Sequence, residues 1–136
     1  MSEIKVKDYI IPRNLLYTET HEWVKVENNH CRIGVTDYAQ KKLHEIVGVD
    51  LPEVGSRVEK REILGVLESI KITANIYAPI SVEIIEVNKE LEMRPELINR
   101  EPYGSGYITI AKIMNRDELK ELLSPEKYAE QVSREE

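Results

Sequence analysis

Residues 65–79 have the sequence GVLESIKITANIYAP, in which two short apolar runs flank a polar turn. The first run ends at Leu67 and the second begins at Ile76, a pattern typical of two strands joined by a short connection. Lys71 falls in that connection, where a long side chain can project into water. The segment therefore predicts a hairpin that presents a single lysine.

Similar short runs on both sides predict a mostly β protein with a few helices. Trp23–Val26 and Cys31–Val35 flank a polar turn and predict a hairpin. A short helix is predicted over Asp37–Leu43, where Gln40 follows Asp37 at the spacing of a capping box. Pro and Gly separate the other predicted strands, which are 47–51, 63–67, 76–78, 82–87 and 107–113. Many short antiparallel strands of this kind form a sandwich or a flattened barrel.

Two helices are predicted near the C-terminus. Asn115 can cap a helix over 117–123, and Ser124-Pro125 starts a second helix with an apolar stripe at helical spacing. We treat about 1–16 as an N-terminal extension and about 115–136 as a C-terminal helical segment. The chain of 136 residues predicts one domain.

Composition excludes several classes of function. Nineteen basic and 25 acidic residues give a net charge of −6, which argues against nucleic acid because its phosphates need Lys and Arg. Cys31 is the only cysteine, so no intrachain disulfide can form, and we interpret it as a small core residue. The chain has neither an apolar run of about 20 residues nor a signal peptide, so we expect no membrane span and a cytoplasmic location.

No catalytic constellation stands out in the sequence. The three histidines lack metalloprotease spacing and a cysteine partner, so we expect no metal site and no autonomous active site. His21 and His30 are interpreted as polar surface residues. Taken alone, a lysine in a turn such as Lys71 is usually a solvated charge.

An ordered series of motifs resembles the glycine cleavage H-protein family, and it covers most of the chain. The motifs are Tyr17-Thr18-x-x-His21-Glu22-Trp23-Val24, Gly34-x-Thr36-Asp37-Tyr38-Ala39-Gln40, Leu51-Pro52-Glu53-Val54-Gly55, Glu68-Ser69-Ile70-Lys71, Pro95-Glu96-Leu97-Ile98-Asn99 and Pro102-Tyr103-Gly104-x-Gly106. The resemblance implies a flattened barrel-sandwich hybrid of the lipoyl/biotinyl-carrier type. It also implies lipoic acid joined by an amide to Lys71, with Glu68 and Ser69 recognised by the attaching enzyme.

The resemblance implies a non-catalytic carrier that shuttles the aminomethyl intermediate of glycine. Its partners would be glycine decarboxylase, aminomethyltransferase, dihydrolipoamide dehydrogenase and a lipoate-attaching enzyme. In the family, a cleft on the carrier holds the protonated amine and protects the intermediate from hydrolysis. The matching positions here are Thr20, Glu22, Tyr38 and Asn75.

Two departures from the family pattern lie beside the predicted site. Asn75 stands where the family usually has Asp, and loss of the carboxylate predicts weaker retention of a cation, because a charge-assisted hydrogen bond is roughly twice as strong as a neutral one. Gly48 stands where a large aromatic is common, which predicts a reshaped surface beside the arm.

Other departures concern turns. Arg61 and Val82 stand where the family has turn glycines, and we expect altered turns because non-glycine residues are strained at positive φ. Gly104 and Gly106 precede a strand at close spacing, which predicts a loop with at least one residue at φ > 0.

Two alternatives share the lysine hairpin, and the intact Glu68 and Lys71 argue against a third, an unmodified structural or regulatory protein that only inherited the fold. A biotin carrier usually flanks its lysine with methionines, whereas Ile70 and Ile72 flank Lys71, and Glu68-Ser69 favours lipoate. The second alternative is an H-like lipoate-binding protein that carries sulfur intermediates in a heterodisulfide-reductase-like pathway. Asn75 favours it, because such intermediates are not ammonium cations.

Overall fold

The computed structural model describes residues 2–135 and contains mostly β structure. Its strands are β1 (Glu3–Val6), β2 (Tyr9–Pro12), β3 (Leu16–Tyr17), β4 (Glu22–Glu27), β5 (His30–Val35), β6 (Ile46–Asp50), β7 (Arg57–Val58), β8 (Ile63–Ser69), β9 (Thr73–Tyr77), β10 (Val82–Val87) and β11 (Thr109–Ile113). Its α-helices are α1 (Asp37–Leu43), α2 (Glu90–Met93), α3 (Leu97–Arg100) and α4 (Pro125–Arg134), and a 3-10 helix covers Arg116–Glu121.

Two antiparallel sheets form the body of the fold. One has the strand order β3-β4-β5-β11-β10-β7 and the other has the order β6-β8-β9. Apolar residues of both sheets share one buried cluster, to which Ile33 contributes from the first sheet and Leu67 and Ile76 from the second. The predicted mostly β, flattened barrel-sandwich fold is confirmed, and so is the predicted hairpin of β4 and β5.

The quoted segment forms the β8–β9 hairpin. Glu68 pairs with Thr73 at its tip, and Leu67 and Ile76 turn inward. A Cβ atom at Gly65 would lie 2.5 Å from the carbonyl oxygen of Asp50, so only glycine lets β6 approach β8 this closely. The hairpin is therefore fixed to β6 along one edge, and residues 70–72 of its tip are exposed.

The N-terminal extension and α4 share a second, aromatic core. The β1–β2 hairpin contributes Ile11, and the Tyr17 and Tyr128 rings stack with 4.6 Å between centroids. Trp23 lies in the same cluster and donates its indole N–H to the Pro102 carbonyl. This second core attaches α4 to the strand that precedes Glu22.

The C-terminal helices differ partly from expectation. Asn115 does cap a helix, since its side chain accepts from the Asp117 N–H, but the predicted helix over 117–123 is a 3-10 helix that ends at Glu121. The second helix is confirmed, with the Ser124 hydroxyl accepting from the Lys127 N–H.

The bounds of α1 are as predicted, but its cap is different. Thr36 is extended and its hydroxyl accepts from the Ala39 N–H, so Thr36 is the N-cap. The Gln40 amide donates to the Asp37 carboxylate at 2.8 Å, so the predicted capping box was wrong.

The turn predictions for Gly104 with Gly106 and for Arg61 were also wrong. Neither Gly104 nor Gly106 has positive φ. Glycine is required at position 106 for space instead, since a Cβ atom there would lie 2.4 Å from the Leu97 carbonyl oxygen and 2.6 Å from that of Glu101. Arg61 itself adopts the left-handed conformation, with φ 74, so the turn is kept and is not altered as predicted. The Arg61 N–H donates to the Ala78 carbonyl at 2.8 Å. Val82 starts β10 without positive φ and is buried.

Candidate functional site

Residues 69–72, the hairpin tip, hold an exposed lysine on an ordered backbone. The buried Ser69 hydroxyl accepts from the N–H groups of Lys71 and Ile72 and donates to the Ile72 carbonyl, each at 3.0 Å. The Ile70 N–H donates to the Glu45 carbonyl. The Lys71 side chain is exposed, so the tip presents it as sequence patterning predicted.

Glu68 lies on β8 opposite Gly48 of β6 and is exposed. A Cβ atom at Gly48 would lie 3.0 Å from the Glu68 Oε1 atom. The small residue at 48 therefore leaves room for the Glu68 side chain beside the tip.

Thr18, Thr20, Glu22 and Tyr77 form what we call the Glu22 cluster. The Glu22 Oε1 atom accepts from both threonine hydroxyls at 2.5 Å, and Oε2 accepts from the Tyr77 N–H at 3.0 Å. Glu22 is 1% exposed, and this burial raises the pKa of its carboxyl, while the hydrogen bonds oppose the rise. The cluster thus surrounds one carboxylate with donors.

The predicted cleft residues fall into two groups. Thr20 and Glu22 share the cluster. The Asn75 amide donates to the Tyr77 hydroxyl at 3.3 Å, so Asn75 is linked to the cluster only through the Tyr77 side chain in the contacts described, while Glu22 bonds to the Tyr77 backbone N–H. Tyr38 lies in another group, with its ring 4.5 Å from that of His21 and 4.8 Å from that of Tyr9.

A cavity of about 370 Å³ adjoins the Glu22 cluster, within the size range of small-molecule pockets. Since Tyr77 is six residues from Lys71, the extended chain places the two at most about 20 Å apart. Lys60 and Glu121 form an ion pair at the cavity. Its lining is Thr18, Glu19, Thr20, Lys60, Arg61, Tyr77, Ala78, Pro79, Glu121, Leu122 and Leu123.

His21 is not the surface residue that the sequence indicated, although His30 is exposed as expected. The His21 side chain is only 17% exposed, with Nδ1 2.8 Å from the Tyr128 hydroxyl and Nε2 3.1 Å from the Glu135 carboxylate. Tyr128 and Glu135 are 107 and 114 residues from His21 along the chain, so no local sequence pattern indicates these contacts.

Cys31 is a buried core residue as predicted, and burial raises the pKa of its thiol to about 12. Within residues 2–135, no cluster of three or more His, Cys, Asp or Glu side chains is arranged to hold a metal ion. Over the same residues, no helix is both long enough and apolar enough to span a membrane.

Comparison with known proteins gives consistent matches. A family model described as glycine cleavage H-protein matches residues 15–135. The chain is 49% identical to a probable glycine cleavage system H protein 1 of Saccharolobus solfataricus, over 97% of this chain and 98% of the relative. It is 48% identical to a probable glycine cleavage system H protein of Aeropyrum pernix, over 91% of this chain and 87% of the relative. A crystal structure of a glycine cleavage system H protein from Mycobacterium marinum superposes with a TM-score of 0.80 at 33% identity, covering 90% of this chain and 98% of that one.

Proposed function

The chain belongs to the glycine cleavage H-protein family, and on that premise we propose that its lipoyl group is attached to Lys71. The family consists of lipoyl carriers, so the chain carries the aminomethyl unit of glycine between enzymes of the glycine cleavage system. The observation that supports Lys71 is its exposure at the tip of the β8–β9 hairpin.

The hairpin tip fits a covalently attached arm. Within residues 2–135, the Lys71 ammonium has neither an ion-pair partner nor a hydrogen-bond partner, so its conversion to a neutral amide leaves no group unpaired. Ser69 fixes the backbone on both sides of the attachment point. When bound, the lipoyl group supplies a dithiolane whose sulfur atoms undergo reduction and reoxidation as the unit is transferred.

Glu68 and Ser69 contribute to attachment in different ways. The exposed Glu68 carboxylate is available to contact the attaching enzyme directly. Ser69 is buried and acts through the shape of the tip, because its hydroxyl is already occupied by backbone groups.

The Glu22 cluster and its cavity supply the retention cleft. Glu22 provides the negative charge for a bound ammonium, and Thr20 and Asn75 provide polar neighbours. Since Asn75 is neutral, retention rests mainly on Glu22. Tyr38 contacts His21 and therefore has an indirect role.

The proposed partners are glycine decarboxylase, aminomethyltransferase, dihydrolipoamide dehydrogenase and a lipoate-attaching enzyme, with the chain itself non-catalytic. The reported relatives are named for glycine cleavage. Nothing in them favours the sulfur-carrier alternative.

The attachment site is tested by incubating the full chain with lipoate, ATP and a lipoate ligase and mapping the product by peptide mass spectrometry. Lys71→Arg should abolish modification, because the arginine side chain keeps the charge but cannot form the amide. Lys112→Arg, on an exposed position of β11, is the matched control and should be modified like the parent. Modification of another lysine, or retained modification in folded Lys71→Arg, would overturn the assignment.

A further inference from the structure

His21 lies between the two proposed cleft residues Thr20 and Glu22 in an unusual backbone conformation. Its φ is 75, in the left-handed region that non-glycine residues rarely adopt. Its N–H donates to the Thr18 carbonyl at 3.2 Å, and its carbonyl accepts from the Thr36 N–H at 3.0 Å. Such strain persists only where surrounding contacts hold the residue in place.

Those contacts form a directional chain of hydrogen bonds. Burial lowers the pKa of His21, so its imidazole is neutral near pH 7 and has one donor and one acceptor nitrogen. The Glu135 carboxylate can only accept, so Nε2–H donates to it and Nδ1 accepts from the Tyr128 hydroxyl. Tyr128 must then accept from the Thr36 hydroxyl, which is 2.7 Å away. Each side-chain polar group in this series of hydrogen bonds, from Glu135 through His21 and Tyr128 to Thr36, therefore has a matched partner.

The same helix holds the turn at a second point. The Gln131 amide of α4 donates to the Glu19 carbonyl at 2.9 Å and to the Glu135 carboxylate at 2.6 Å. Residues 19 and 21 are therefore both tied to the C-terminal helix and its end, and Thr20 lies between them.

A displacement of His21 would reach Glu22 directly. The Glu22 N–H donates to the Thr18 hydroxyl, and the Thr18 N–H donates to the Glu22 carbonyl, both at 3.0 Å. The turn is thus closed on itself, and its residues cannot move independently.

We propose that His21, held by Tyr128 and Glu135, is a positioning residue that keeps Thr20 and Glu22 in the arrangement that retains the loaded arm. The effect on retention of the loaded arm rests on the proposed function, but the positioning of Glu22 by His21 can be measured in the unmodified chain. The reporter is the Tyr77 N–H, which donates to the Glu22 carboxylate.

The test compares amide hydrogen exchange of Tyr77 in variants of the full chain. His21→Gly accepts the positive φ and removes the ring, so it separates loss of the side chain from backbone strain. Val132→Ala is the control, because it loosens the buried packing of α4 while leaving every polar contact of His21 intact. We expect Tyr77 exchange to rise about fivefold in His21→Gly, the factor for one hydrogen bond of ordinary strength, and to stay near the parent rate in Val132→Ala.

A conservative variant and a double-mutant cycle sharpen the result. Asn is tolerated at positive φ and can replace the bond from Nδ1 to Tyr128, so His21→Asn should restore part of the Tyr77 protection. Tyr128→Phe should raise the Tyr77 exchange rate as His21→Gly does. The double variant should add little to either single effect, because both substitutions remove the bond between His21 and Tyr128.

Unchanged Tyr77 exchange in folded His21→Gly would overturn the proposal, and so would an equal rise in Val132→Ala. In the lipoylated proteins, His21→Gly should shorten retention of the aminomethyl unit, measured as release of formaldehyde and ammonium, while the extent of modification at Lys71 stays unchanged. A parent chain that is not modified at Lys71 would instead contradict the proposed function and leave the exchange result standing.

Discussion

The hairpin tip and the Glu22 cluster are ordered by contacts of different range along the chain. At the tip, the Ser69 hydroxyl bonds only to groups two or three residues away. In the cluster, Glu22 bonds to the Tyr77 N–H, 55 residues away. Although the Ile70 N–H of the tip also bonds to the Glu45 carbonyl, the exposed Lys71 side chain can be modified without breaking a contact of the body, whereas the cluster is part of the tertiary fold.

The largest expected contrast is in global stability. Glu22→Ala leaves two hydroxyls and the Tyr77 N–H without their acceptor, so we expect a loss of about 2 kcal/mol in the free energy of unfolding. Lys71→Ala removes an exposed side chain and should stay within about 0.5 kcal/mol of the parent. Urea unfolding followed by tryptophan fluorescence measures both free energies. Equal losses of stability in the two variants would contradict the difference between the hairpin tip and the Glu22 cluster.

A change at the tip should stay local. Ser69→Ala removes the acceptor for two backbone N–H groups, which is expected to cost about 1 kcal/mol. Hydrogen exchange should show faster exchange at Ile72 and an unchanged rate at Tyr77. Faster exchange at both positions would mean that the tip and the cluster are coupled.

Arg61 lines the cavity beside the cluster and is strained, so relief of that strain should stabilise the chain. Arg61→Gly removes the cost of a side chain at φ 74, and after the greater entropy of glycine in the unfolded chain we expect a gain of about 0.5 kcal/mol. Arg57→Gly, on strand β7, is the control and should lose stability. A loss of stability in both variants would show that the backbone of Arg61 is not strained at its positive φ.

The smallest effect is the pH dependence of stability, because two groups of the turn oppose each other. Burial raises the pKa of Glu22 above 4.5, so its contribution is full below pH 4.5 and is lost as pH rises through the folded pKa. Burial lowers the pKa of His21 below 6.5, so its contribution is full above pH 6.5 and is lost as pH falls toward the folded pKa.

Single substitutions should separate these opposing slopes in urea unfolding between about pH 4 and 7. Glu22→Gln should leave a chain that loses stability as pH falls below 6.5. His21→Asn should leave a chain that loses stability as pH rises above 4.5. Identical profiles in all three proteins would contradict the assigned pKa directions.

The same difference in range explains what the sequence could predict. The strands around Lys71, the helix from Asp37 and the cap at Ser124 depend on local periodicity and local hydrogen bonds, and they were found correctly. The role of His21 was missed because its partners come from the far end of the chain.

The turn errors have a physical cause of their own. Glycine was taken as a sign of positive φ, yet Gly106 is required by the nearby Glu101 carbonyl and Arg61 adopts positive φ without being glycine. Sequence spacing identifies a turn, but the tertiary surroundings decide whether a residue in it must adopt positive φ or must be small enough to leave space for a neighbouring backbone atom. The cleft residues depended on family resemblance, because the bond from the Tyr77 N–H to Glu22 spans 55 residues and has no local signature.

The bond between Glu22 and the Tyr77 N–H also bears on solubility. β9 is the outer strand of its sheet, and an open strand edge is a template for pairing with a second molecule and for aggregation. The buried carboxylate already occupies one donor of that edge, at the end farther from the hairpin tip. The occupied donor thus leaves less of the β9 edge free to pair with a second copy of the chain, while the Lys71 tip stays exposed.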